Sequence, residues 1–208
     1  YQKLSKEYSA IEPPIWAALL AQNARKNGYS TRILDCEAAR IDAAESASMI
    51  GYYQPKLMAL VVYGQQPSAS TQNMIGARLL LQELKQRYPN LKTIMIGLHP
   101  SAVARQTMEE EVADFVCQGE GPHTIAGLLN VNMDDPTQLK KVPGLWYRDD
   151  GHVVCTKPAP LITQEELPNE LPGMAWDLLP MDHYRTSNWH AMTNDNDKMP
   201  FASLYTSL

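Results

Sequence analysis

Three apolar runs, each closed by a glycine, constrain this chain more than any other feature. They are KLMALVVYG (56–64), KTIMIG (92–97) and ADFVCQG (113–119). Their apolarity is continuous, not alternating, which marks strands covered on both faces, as in a parallel sheet. The shorter STRILD (30–35) is predicted as a further strand. Helical patterns fill the gaps. PPIWAALLAQNARKNG opens on proline, which suits a first helical turn, and closes on Gly28 as a C-terminal cap. Met74, Ala77, Leu81, Leu84 and Tyr88 recur at spacings of three and four and give one helix an apolar stripe. AARIDAAESASMIGYY reads as one weaker helix containing Gly51; SAVARQTMEEE and HTIAGLL read as short ones. The alternation predicts an α/β fold, Rossmann-like and doubly wound, with a mainly parallel sheet. Such folds open on a strand, and the polar YQKLSKEYSAIE does not read as one. The opening strand is therefore expected upstream of Tyr1.

After Val131 the pattern changes. GLWYRDDGHVVCTK predicts a β-hairpin around Asp149-Asp150-Gly151. Prolines at 158, 160, 168, 172 and 180 then exclude long regular elements, so an extended Pro-rich connector laid over a neighbouring surface follows. NDNDK reads as a solvated loop, because it lacks the glycine and distal glutamate of a calcium loop. MPFASLYTSL begins like a new buried strand. The expected divisions are 1–131, 132–182 and 183–208.

Composition removes several function classes. The 208 residues carry a formal net charge of −5, without the basic footprint of a nucleic-acid binder. No apolar run has the length of a membrane span. The three cysteines, Cys36, Cys117 and Cys155, are far apart, which fits neither a zinc site nor a disulfide framework. They are expected to be small buried hydrophobes, and the setting to be reduced and cytoplasmic.

In an open α/β sheet, ligands bind beyond the carboxyl ends of the strands. Four segments fall there: Asp35-Cys36-Glu37, YGQQPSAST, GLHPS and GEGPHT. They offer glycine, hydroxyl, amide and imidazole groups with little charge. Helix starts after Pro67, Pro100 and Pro122 would present free N–H groups. No G-x-G-x-x-G or Walker loop occurs, and no nucleophile constellation can be assembled by spacing. The rim reads as a cradle for a large, mostly neutral ligand.

With these motifs in order, the chain resembles cobalamin-binding radical S-adenosylmethionine enzymes. The resemblance is carried by IEPPIWAALLAQNARKNGYSTRILD, IGLHPSAV, ADFVCQGEGPHTIAGLL, VPGLWYRDDGHVV and LPNELPGMAWDLLPMDHY, and covers almost the whole chain. It implies a cobalamin-binding domain over 1–131, a hairpin and connector over 132–182, and the start of a radical S-adenosylmethionine barrel over 183–208. It also implies a cofactor site lined by Tyr63, Gly64, Gln65, Gln66, Ser68, Ser70, Thr71, Gly97, His99, Pro100, Ser101, Gly119, Glu120, Gly121 and Thr124. The intact enzyme would also hold a 4Fe-4S cluster and S-adenosylmethionine in a barrel of the same chain, and would transfer a methyl group carried on cobalamin. This chain alone would catalyse nothing, so no catalytic or metal-ligating residue is assigned. The cluster motif C-x-x-x-C-x-x-C is absent, and FASLYTSL matches the run before it, so the cluster cysteines are expected beyond Leu208. The D-x-H-x-x-G motif that places a histidine under cobalt is also absent. The implied cofactor is therefore base-off with no histidine beneath it.

Individual residues keep more than one reading at this stage. His99 is a ligand contact or a packed turn residue, with cobalt ligation the least favoured. Glu120 either accepts from a ligand or caps the helix that follows. His123 is expected to be exposed. Trp16 falls in step with Leu19 and Leu20 and reads as core rather than as a cofactor contact, the less favoured alternative; Trp176 reads as a pin to a neighbouring domain. The rival function is a Rossmann-like module for a nucleotide-sugar or for partner recognition, without cobalamin.

Overall fold

The computed structural model describes residues 10–64, 67–186 and 199–202. Five strands form one sheet in sequence order. β1 (Met58–Val62), β2 (Thr93–Gly97) and β3 (Phe115–Cys117) run parallel; β4 (Leu145–Asp149) and β5 (His152–Cys155) join antiparallel beyond β3. The helices are α1 (Ile15–Lys26), α2 (Cys36–Ala39), α3 (Ala43–Tyr53), α4 (Pro67–Arg87), α5 (Leu98–Ala102), α6 (Ala104–Glu110), α7 (Pro122–Leu129), α8 (Pro136–Leu139) and α9 (Leu167–Glu170). Two short 3-10 turns, Trp176–Leu178 and Met181–His183, lie in the connector.

The sheet is covered on both faces, and strand alternation decides which residue goes where. Ile94 and Ile96 join Leu20 of α1 and Ile125 and Leu128 of α7 in one core cluster. Met58, Val62 and Met95 join Ala77, Leu81 and Leu84 of α4 and Met108 of α6 in the other. This is the doubly wound α/β arrangement that the continuous apolar runs predict. The hairpin turn has left-handed Asp150 and Gly151 (φ 48 and 79), the two-residue geometry that matches strand twist.

Several expectations need correction. Residues 30–35 pair with no described strand. A strand exists only through a ladder of hydrogen bonds to a neighbour, which composition cannot supply. The single helix expected over AARIDAAESASMIGYY is two helices. Arg40 is left-handed (φ 55) and ends α2, and Asp42 with Glu45 forms a reciprocal capping box that starts α3. Gly51 has a packing reason, since a Cβ there would lie 2.0 Å from the Tyr88 ring. The cysteines are not all buried: Cys117 is, Cys36 is half-buried and Cys155 is exposed on the edge strand β5. The NDNDK loop lies outside the described residues.

At the carboxyl ends of β1 and β2 the backbones leave no room for a side chain. Gly97 sits at φ 152, where a Cβ would lie 2.1 Å from the Val62 carbonyl oxygen. That contact is with backbone, so no rotamer change can relieve it. Gly97→Ala is expected to destabilise the fold by about 3 kcal/mol, measured by urea denaturation.

Burial also holds the Cys117 thiol protonated, pushing its pKa up to about 11 from 9.0. The Tyr184 phenol is pushed up too, by burial first and by the neighbouring Asp35 second. Groups raised in the folded state favour folding fully below their unfolded values, and that contribution is lost as pH rises. Unfolding measurements should therefore show roughly 2 kcal/mol lost between about pH 9 and 11, with a shallower fall in Cys117→Ala. At pH 8 a thiol reagent should label Cys155 in the folded chain, and Cys117 only after unfolding.

Candidate functional site

Because β1, β2 and β3 are parallel, their following loops share one rim. The rim is held by a hydrogen-bonded clasp. Ser70 in the first turns of α4 donates from Oγ to the Val62 carbonyl at 2.5 Å. The same Oγ accepts from the His99 backbone N–H at 3.0 Å. Thr71 Oγ1 and His99 Nδ1 lie 3.0 Å apart. One turn of α4 thus fixes both the end of β1 and the beginning of α5.

The third loop is tied to the second, where Ser101 Oγ accepts from the Gly119 N–H at 2.9 Å. Glu120 Oε2 accepts from the Ile162 N–H of the connector at 3.0 Å. Gly121 is at φ 107, and a Cβ there would meet Leu20 of α1 at 3.0 Å. Thr124 donates to the Pro143 carbonyl at 2.8 Å. At the other side of the rim, Tyr63 stacks on Trp16 with centroids 5.2 Å apart and planes inclined by 16°. Its backbone carbonyl accepts from Asn73 Nδ2 at 2.8 Å.

The residues expected to line a site therefore divide by position. Ser68, Thr71 and Gly119 are exposed, while Tyr63, Gly64, His99, Ser101 and Glu120 are half-buried. Ser70 and Thr124 are fully buried, with hydroxyls engaged inside the protein, so they brace the rim from behind. Gly97, Pro100 and Gly121 are buried and set close packing. Gln65 and Gln66 lie outside the described residues. Pro100 does not begin its helix, because α5 already starts at Leu98 and places His99 in the first turn.

The rim fits a bulky neutral group better than an ion. Its accessible polar atoms are mostly hydroxyls, an imidazole and backbone amides; the one carboxylate among the residues expected to line it, Glu120, is engaged by the Ile162 N–H. A Cβ on Gly119 would meet nothing within 4 Å, so the third loop leaves open space beside Ser101. Among the described residues, no three His, Cys, Asp or Glu side chains gather as a metal site.

The connector packs on the same domain. Arg25 of α1 forms two hydrogen bonds to Asp177, at 2.8 and 2.7 Å. Buried Asn23 donates to the Glu170 carbonyl at 2.7 Å. Tyr184 is fully buried and donates to Asp35 Oδ2 at 2.9 Å, while Asp35 Oδ1 caps α2. Trp176 packs against the cluster of Ile11, Ala18, Leu179 and Tyr184, so it pins the connector to the neighbouring α/β domain of the same chain, as expected. His123 is half-buried, 3.9 Å from Glu170, where exposure was expected. The connector lies over a neighbouring surface, as its composition predicts; the particular partners were not identified from sequence, and a polar Asn23 on the buried side of an apolar helix was the available signal.

Comparison with known proteins agrees with this geometry. The chain is 29% identical over 196 residues to an uncharacterized methyltransferase of Pyrococcus horikoshii, covering 94% of this chain and 38% of that protein. It is 26% identical over 173 residues to the anaerobic magnesium-protoporphyrin IX monomethyl ester cyclase of Synechocystis sp., covering 83% of this chain and 33% of that protein. It thus spans little more than a third of those relatives' length. Among solved structures, the cobalamin-dependent S-adenosylmethionine radical enzyme OxsB with aqua-cobalamin and S-adenosylmethionine bound shares the fold. The TM-score is 0.60 at 17% identity, over 84% of this chain and 23% of that one. OxsB with aqua-cobalamin alone gives a TM-score of 0.57 at 18% identity over 84% of this chain and 23% of that chain. The model of the B12 binding domain matches residues 3–129, more than half of the sequence, and the chain belongs to that family.

Proposed function

We propose that this chain is the cobalamin-holding part of a cobalamin-dependent radical S-adenosylmethionine enzyme of methyltransferase type. The observation that carries this reading is the neutral, glycine-opened rim on a B12-binding fold. The resemblance of motif order and the names of the relatives support the finer assignment. Bound cobalamin would supply a cobalt centre able to carry a methyl group. The chain's own contribution is to bind, orient and wall that cofactor.

Under this reading Tyr63, Gly64, Ser68, Thr71, His99, Ser101, Gly119 and Glu120 line the site, together with Gln65 and Gln66. Gly97, Pro100 and Gly121 permit close approach, and Ser70 and Thr124 hold the loops in place. His99 serves as a wall or tail contact, its Nδ1 held by Thr71; that cobalt has no imidazole beneath it rests on the absence of a D-x-H-x-x-G run. Residues 1–131 form the cofactor domain, 132–182 the hairpin and connector, and 183–208 the lead into a barrel that would hold a 4Fe-4S cluster and S-adenosylmethionine. No helix among the described residues is long and apolar enough to cross a membrane.

The test is direct. After incubation with hydroxocobalamin and desalting, the chain should keep a corrinoid visible spectrum. After reduction to the cobalt(II) state, spin-resonance spectra should lack strong coupling to an imidazole nitrogen. A chain that emerges colourless, yet folded by circular dichroism, contradicts cobalamin binding and favours the nucleotide-sugar or recognition module. Strong nitrogen coupling contradicts a histidine-free lower face.

A further inference from the structure

Trp16 has no role in the reading above. Its spacing with Leu19 and Leu20 marks it as core, but the fold gives it a second neighbourhood. It is the second residue of α1, and its ring lies nearly parallel to that of Tyr63. Tyr63 is the first residue beyond β1, on the rim. The separation of 5.2 Å and the 16° inclination fall within the range of favourable offset stacking. Neither ring is fully buried.

Tyr63 is fixed from two directions. Asn73 of α4 holds its backbone carbonyl. The next residue, Gly64, abuts Ala69, with 2.3 Å between a built Cβ and the Ala69 Cβ. Trp16 fixes the ring from α1. Trp16 itself packs against the buried cluster of Ile15, Leu19 and Leu171, on which Ile162 and Met174 of the connector also pack. The result is a braced, partly exposed aromatic face on a rim otherwise built of small neutral residues.

We propose that Trp16 is a positioning residue for the cofactor: it holds the Tyr63 ring as a flat apolar shelf against which the planar face of the corrin rests. This rests on the cobalamin reading and adds to it a residue on α1. The shelf supplies area and shape and no axial ligand. A flat, rigid aromatic surface suits a macrocycle face, because little side-chain freedom is lost when the two meet. The rival is that Trp16 only glues α1 to the sheet. The two differ in how Trp16 and Tyr63 combine, because a positioning residue acts through its partner and a glue residue acts alone.

The experiment is a double-mutant cycle on hydroxocobalamin affinity, measured by absorbance titration of the 208-residue chain. Trp16→Ala is expected to weaken binding about fivefold, the scale of one aromatic pair, and Trp16→Phe to stay within about twofold. In a Tyr63→Ala background, Trp16→Ala should change affinity by less than about twofold. Bound corrinoid in Trp16→Ala should also show a displaced visible band. Unchanged affinity and spectrum in Trp16→Ala overturn the proposal, as does a full, additive loss on top of Tyr63→Ala. Failure of the unsubstituted chain to bind overturns both this proposal and the cobalamin reading; binding without coupling overturns this proposal alone. If an alanine variant loses its far-ultraviolet helical signal, Trp16→Leu or Tyr63→Leu replaces it, removing the ring and keeping bulk, under the same criteria.

Discussion

No methyl group fits between Gly97 and the carbonyl of Val62. That backbone contact draws the carboxyl ends of β1 and β2 together. The same carbonyl accepts the Ser70 hydroxyl, whose oxygen accepts the His99 N–H. One buried serine thus links the end of β1, the start of α4 and the start of α5. The positions of Tyr63, Thr71 and His99 follow from it. A buried, fully satisfied polar group of this kind confers a fixed geometry more than a large stabilisation.

What the clasp supports is a rim of neutral donors and acceptors with open space at Gly119. Among the described residues, the strongest ion pairs lie elsewhere. Lys85 and Thr93 converge on Asp114 at the amino ends of the strands, and Arg78 pairs with buried Glu111. Charge is spent on tying helices and strand ends together, while the rim is left to shape and hydrogen bonding. The connector completes the arrangement. It runs back over α1, takes hold of the third rim loop through Glu120 and of α2 through Tyr184. In a larger enzyme of the proposed kind, the segment leading to the next domain would thereby touch the cofactor loops directly.

Much of this was legible in the sequence, for identifiable reasons. Strands buried on both faces read as continuous apolar runs, so β2 and β3 announced themselves; β1 carries the same run although Ala59 is exposed and Leu60 and Val61 are half-buried. The hairpin followed from Asp150-Gly151, which accept left-handed backbone where other residues resist it. Glycine-closed strands located the rim. Other features depend on partners that a linear pattern does not name. Residues 30–35 have strand composition without a ladder among the described residues. The split between α2 and α3 turned on Asp42 and Glu45, a capping pair hidden inside an otherwise helical stretch. Ser68, Ser70 and Thr71 are equivalent as hydroxyls in sequence, yet helical rotation turns Ser70 inward and leaves the other two outside. That the connector lies over a neighbouring surface was legible, but its particular contacts were not, because proline content excludes long regular elements without naming the residues an extended segment lies against.

Hydrogen exchange with and without hydroxocobalamin tests the central claim most directly, because it reports where on the fold a ligand acts. The account predicts slowed exchange at 62–71, 97–101 and 118–121, with no change around Lys85, Thr93 and Asp114 at the opposite ends of the strands. Protection at those opposite ends, or none at the rim while the chain holds corrinoid, would contradict it.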